Sequence, residues 1–171
     1  DPGSHRQGAD IDLPLEDLFL SVKSAQVKGM KKQVMSISSF RTTAYDSLHE
    51  KLNFIDGGGK NFTHYLVLAR EDKKKKKVFV ERKYTALLVP ANQFLAKNMT
   101  WEESTSGWKS LEKYDDELGY AMNIHKKMSD QLWIYCDYKK VKADPNVKIL
   151  FSVTIPAENL GNTHKIVRRA A

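Results

Sequence analysis

Gln131-Leu-Trp-Ile-Tyr-Cys-Asp-Tyr138 and Val147-Lys-Ile-Leu-Phe-Ser-Val-Thr-Ile155 decide the fold class. In the first, Leu132, Ile134 and Cys136 alternate with Trp133, Tyr135 and Asp137. In the second, Val147, Ile149, Phe151, Val153 and Ile155 alternate without a break. A period of two is the mark of a half-buried strand, because successive side chains point to opposite faces. Asp144-Pro145-Asn146 supplies turn chemistry between the runs, and Pro156 ends the second. The pair is predicted to form a β-hairpin.

Working outward, Asn61 to Ala69 reads as another strand, with Phe62, His64, Leu66 and Leu68 on one side and Tyr65 and Val67 on the other. Arg70 to Lys77 reads as a hairpin tip, and Val78 to Pro90 carries the chain back in extended form. Asp17 to Gln26 and Gln33 to Ile37 are strands joined by a basic turn at Gly29. Between them and Asn61 a helix is predicted, capped by Thr43 with Asp46 and stopped at Gly57-Gly58-Gly59. Its apolar face is Tyr45, Leu48, Leu52 and Ile55. A short helix fits Asn92 to Lys97, and a second begins near Trp108, with Leu111, Leu118 and Met122 at helical spacing. Gly119 leaves Tyr120 to Met128 open between helix and strand. The predicted class is α+β, an antiparallel sheet with one or two helices packed on one face.

The chain has 171 residues, 41% of them hydrophobic and 29% charged, enough for one domain with a substantial core. We expect that domain over residues 17–160, between a flexible N-terminal segment (1–16) and a C-terminal tail (161–171). Asp1 to His5 reads as an expression-vector remnant. No apolar run approaches the ~20 residues that span a bilayer. Cys136 is the single cysteine, so a disulfide scaffold is excluded and a reducing compartment is expected.

The net charge is +7, but Lys73, Lys74, Lys75, Lys76 and Lys77 contribute five of it. Without them 23 basic residues face 21 acidic. The basicity is therefore one local feature, with Lys31 and Lys32 adding a second small cluster. A concentrated positive tip attracts anionic lipid or nucleic acid; a solvated turn guarding a strand edge has the same composition. Trp133 and Tyr135, near Lys139 and Lys140, have the makeup of a base-stacking platform.

Catalytic chemistry finds no home. The five histidines (5, 49, 64, 125 and 164) make no short-spaced ligand pair, so no metal is expected. Neither a P-loop nor a Gly-x-Ser-x-Gly is present. Gly57 to Lys60 follows a helix, the wrong polarity for holding phosphate. Cys136 and His64 sit among apolar neighbours, and Asp115-Asp116-Glu117 reads as a solvated acidic face. Asn61-Phe62-Thr63 and Asn98-Met99-Thr100 match the glycosylation pattern by chance. No enzyme, cofactor or small-molecule substrate is expected.

Asp17-Leu-Phe-Leu-Ser-Val-Lys-Ser24, Phe40-Arg-Thr-Thr-Ala-Tyr-Asp46 with its helix, and Asn61-Phe-Thr-His-Tyr-Leu-Val-Leu-Ala69 together resemble the core of rhabdovirus matrix proteins. The likeness covers residues 17–70, about a third of the chain. It implies a non-enzymatic structural protein of the virion and host cytoplasm, peripheral at a membrane, that self-associates into oligomers or filaments. It also implies a link between nucleocapsid and an anionic membrane surface. In that family a segment ahead of the core docks on a neighbouring molecule, and Leu13-Pro14-Leu15 is the matching island. The family's lysine-rich arm and Pro-Pro-x-Tyr motif have no counterpart here. The alternative is a basic module for RNA or other single-stranded nucleic acid, using the same lysines.

Overall fold

The computed structural model describes residues 10–58 and 62–160. Ten strands dominate it: β1 (Ile11–Leu13), β2 (Leu18–Lys28), β3 (Val34–Arg41), β4 (His64–Lys75), β5 (Val78–Pro90), β6 (Trp101–Ser104), β7 (Gly107–Ser110), β8 (Tyr120–His125), β9 (Gln131–Asp137) and β10 (Lys148–Pro156). The helices are short: α1 (Leu48–Asn53), continued by a π turn at Phe54–Gly58, α2 (Tyr138–Ala143), and a helical turn at 157–160 after β10. The fold is thus a mixed sheet with small helical inserts, richer in strand than the α+β expectation.

The strands follow the order β10-β5-β4-β2-β3-β9-β8-β7-β6, with β1 on the side of β2. β2 and β3 pair only through Val27–Met35 and Lys28–Val34. From that short junction the sheet divides into two halves. Buried residues of both, Val67 and Leu87 on one side, Ile37, Met122 and Ile134 on the other, join a single core. Gly29, at φ +91°, makes the tight turn at the junction; a Cβ there would stand 2.2 Å from the Lys32 carbonyl oxygen.

Several expectations change. The predicted hairpin of 131–155 does not form: β9 pairs with β3 and β8, whereas β10 crosses to the far edge and pairs with β5. Both strands are real, but α2 intervenes because the Asp137 carboxylate accepts from the backbone N–H groups of Lys139 and Lys140 and starts a helix there. Nor is the sheet wholly antiparallel, since β2 runs parallel to β4 from Leu20–His64 to Gln26–Arg70. The long return through β3 and α1 permits that, as parallel neighbours need a crossover.

α1 is capped by Ser47 with Glu50, four residues beyond the predicted Thr43 cap. Thr43 loses the role because Thr42 is tied by its N–H and hydroxyl to the Asp130 carbonyl, holding the chain extended. The helix predicted from Trp108 is absent; β7 and β8 replace it, so Tyr120 onward takes the extended alternative. Asn92 to Lys97 is reduced to two 3-10 turns, Ala91–Gln93 and Ala96–Asn98. Both helices feed the one core, through Phe54 and Ile55 beyond α1 and Tyr138 and Val141 of α2, but they sit apart along the sheet. α1 is anchored on Thr42 and Asp130, α2 on Gln33 and Asp116, at opposite ends of the β3–β9 pair. Gly59, Lys60, Asn61 and the 161–171 tail lie outside the described residues.

Candidate functional site

The five-lysine run ends β4 and turns into β5. Lys76 and Lys77 both have positive φ, 48° and 66°, the geometry of a two-residue type I′ hairpin turn. That turn matches the right-handed twist of the flanking strands, though Asn-Gly suits it better than Lys-Lys. All five lysines are exposed. Lys73 pairs with Glu81 at 3.3 Å, whereas Lys74 to Lys77 enter no ion pair among the described residues.

Below the tip most of the charges are matched. Arg82 Nε donates to Asp72 Oδ1 at 2.7 Å from the directly opposed strand position, and its guanidinium lies 5.1 Å from the Phe79 ring centre. The Asp72 hydrogen bond holds the Arg82 guanidinium still further above its ordinary range. Gln33 and Tyr138 reach Glu71 at 3.4 Å each. Between the hairpin base and the Gly29–Met30 turn lies a groove of about 460 Å³, its wall made by Gln33, Glu71, Asp72 and Glu81 together with Lys73, Lys74 and Lys83. The stem's acids thus pair Arg70, Lys73 and Arg82, and most of the uncompensated charge collects at the tip. Nothing in the groove assembles a nucleophile with a base.

β2 is parallel to β4, so Lys28 and the Lys31–Lys32 turn project from the same end of the sheet as the lysine tip. The two lysines differ. Lys32 Nζ sits 2.6 Å from Asp115 Oδ2; this hydrogen bond raises the ammonium and lowers the carboxyl from their ordinary values. Lys31 enters no ion pair among the described residues, and its carbonyl accepts from Lys139 Nζ at 3.3 Å. Lys140 Nζ donates to the Asp116 carbonyl at 2.7 Å. The Asp115 carboxylate and the Asp116 carbonyl thus restrain Lys32 and Lys140.

A second concave surface lies on the outer face, where β2 and β3 part. Ser24, Gln26 and Lys28 border it on one side, Trp133, Tyr135 and His125 on the other, around about 450 Å³. Trp133 Nε1 is buried without a hydrogen-bond partner among the described residues. Burial raises the Tyr135 phenol above its usual range, against a hydrogen bond from Asn123. The sequence singled out these aromatics through their strand parity; the serines and Gln26 opposite them come from a long-range approach it does not encode.

Ile11–Leu13 pairs with β2, matching Ile11 to Leu20 and Leu13 to Leu18. The expected flexible segment is thus a strand from Ile11, tied down where the Asp10 carboxylate accepts from the Val22 N–H at 2.6 Å. Pro14 opens a 3-10 turn, and Leu15 stands 97% exposed. Among the described residues no three His, Cys, Asp or Glu side chains group to hold a metal, and no helix is long and apolar enough to cross a membrane. No protein-family model, curated protein or solved structure matches the chain.

Proposed function

We propose that this protein is a non-enzymatic, matrix-type structural protein that binds an anionic membrane surface through the lysine tip and joins it to a nucleocapsid while associating with its own copies. The observation that carries the proposal is the segregation of charge on the β4–β5 hairpin. From Arg70 to Lys83 eight basic residues face three acidic ones. The acids are spent on the stem, so Lys74 to Lys77 meet a partner unneutralised. A lysine near an anionic bilayer contributes about 1 kcal/mol, so four or five give reversible, salt-sensitive attachment. Leu15, beside Leu13 and Pro14 at the end of β1, is the exposed apolar contact for a neighbouring copy.

The experiment compares the parent with the Lys73→Gln to Lys77→Gln variant in sedimentation with phosphatidylserine-containing vesicles and in binding to short single-stranded RNA, at matched salt. Vesicle binding that falls at least tenfold in the variant, with unchanged far-UV circular dichroism, supports the proposal. Vesicle binding that the substitutions leave intact refutes it.

A second reading, a single-stranded nucleic-acid module, is favoured by the groove of Trp133 and Tyr135 with Lys28 at its rim. Base stacking on such rings contributes about 1–3 kcal/mol per base. RNA binding that is lost in Trp133→Ala and stays stronger than vesicle binding identifies this function instead.

A further inference from the structure

The two ends of the sheet are built differently. β6, at one edge, has four residues, of which Glu102 and Glu103 are charged. Short, charged edges resist pairing with other chains. β10, at the other edge, has nine residues and no charge from Ile149 to Pro156. Its outer side pairs with no strand among the described residues. Ile149, Leu150, Phe151 and Val153 are 52%, 52%, 54% and 45% exposed. Phe151 and Val153 lie opposite Ala86 and Tyr84 of β5, so they extend the outer apolar face on which Ala86 and Leu88 are buried. A long apolar edge with open backbone groups is a template for another strand.

We infer that β10 pairs antiparallel with β10 of a second copy. Two features select that occupant and that direction. The strand is self-complementary from Phe151 to Val153: centred on Ser152, Phe151 meets Val153 of the other copy on the outer face with no charge brought against a like charge, and the bulge between Ile149 and Phe151 ends the regular register there. Direction follows from the lysine tip. Pro156 pairs with Glu81 and Lys148 with Leu88, so the C-terminal end of β10 lies toward the tip. Parallel pairing sets two hairpins carrying Lys73 to Lys77 side by side. Antiparallel pairing sets them at opposite ends, separated by at least the ~30 Å length of a nine-residue strand, well beyond the ~8 Å Debye length at physiological salt. The dimer then presents one basic tip at each end and bridges two anionic surfaces. The bridging role rests on the proposed membrane function; the dimer does not.

The test begins with sedimentation equilibrium of the full chain at rising concentration. The parent reaches twice the 19.6 kDa chain mass, and Phe151→Lys with Val153→Lys stays monomeric with an unchanged melting curve. Should that variant fail to fold, Ser152→Cys in the parent background decides. Paired Cα atoms in an antiparallel ladder are ~4.5–5.5 Å apart, within disulfide reach. Oxidation therefore links Ser152→Cys into a dimer and leaves Lys148→Cys unlinked. A parent that remains monomeric, equal cross-linking at both positions, or dimers unaffected by the lysines overturns the pairing. So does a parent that dimerises only after residues 161–171 are removed, since its own tail is then the occupant. Finally, the parent clusters phosphatidylserine vesicles, and the double-lysine variant binds them without clustering. Loss of vesicle binding in both proteins, with the dimer intact, defeats the membrane function alone; clustering by a monomeric variant overturns the bridging.

Discussion

Lys51 Nζ lies 2.8 Å from the Asp130 carboxylate, joining α1 to the turn between β8 and β9 across 79 residues of chain. The lysine side chain is 1% exposed and donates also to the carbonyls of Thr42 and Tyr45. The Trp108 ring centre is 5.3 Å from the ammonium. A buried charge persists only when paired and hydrogen-bonded, and here every donor is directed at oxygen. Ser129 and Asp130 take positive φ to present that oxygen, and the Asp130 carbonyl accepts from Thr42. One cation thus fixes where the first helix meets the β9 half of the sheet.

Replacing Lys51 with Met removes the donor and leaves a carboxylate and two carbonyls without it. Breaking a buried pair from one side costs about 3–5 kcal/mol. The Asp130 side chain is 19% exposed, so water relieves part of the loss and about 3 kcal/mol is expected. Urea unfolding of parent and Lys51→Met measures it; a difference below 1 kcal/mol would show that the pair does not hold the helix.

The lysine turn is strained in a way that substitution can relieve. Lys76 and Lys77 both occupy the left-handed region, where a side chain costs ~1–2 kcal/mol per residue and Asn-Gly costs little. Lys76→Asn with Lys77→Gly should stabilise the protein by about 1–2 kcal/mol. At roughly 2–4 °C per kcal/mol for a chain of this size, thermal melting reads the gain. An unchanged or lower Tm argues against a type I′ turn.

Cys136 is fully buried on the inner face of β9, and burial pushes its thiol far above the ordinary range. The thiolate is the reactive species. The folded protein should therefore be inert to an aromatic disulfide reagent at pH 8 and label at the rate of unfolding once urea is added. Rapid labelling of the native chain contradicts the placement of β9.

His64 gives the expected acid sensitivity. Burial, then the charge of Lys148, lowers its pKa below the ordinary 6.5. The unfolded chain then binds the proton more tightly, so the contribution is complete above pH 6.5 and is lost as pH falls from there through the folded value. Stability should decline over that window, and His64→Gln should flatten the decline. A proton NMR titration of the His64 ring should move upward in Lys148→Gln; no movement removes Lys148 as a cause.

Local pattern made the strands legible. The alternations of Gln131–Asp137, Asp17–Gln26 and the Tyr65-Val67-Ala69 face report side chains facing one core, a property of neighbouring residues alone. Glycine and lysine marked the turns at Gly29 and at the tip, because backbone conformation and charge repulsion act over a few residues. Trp108, by contrast, sits at helical spacing and lies in a strand, since its short segment forms where β8 supplies hydrogen bonds.

Which strand neighbours which was decided only in three dimensions. Nothing local in Val147–Ile155 says that it joins β5 instead of β9, because a strand's pattern names the face it buries and not the edge it pairs. The consequence reaches function: crossing to β5 leaves Ile149 to Val153 on an edge that no strand among the described residues pairs. It also took the tertiary structure to show that Lys32 meets Asp115 while Lys74 to Lys77 meet no acid among the described residues. By itself the sequence determined the number and place of the charges and the period of the strands. The folded chain decided which charges are neutralised and which edge is left unpaired, because ion pairs and strand pairing depend on residues distant in the chain being brought together.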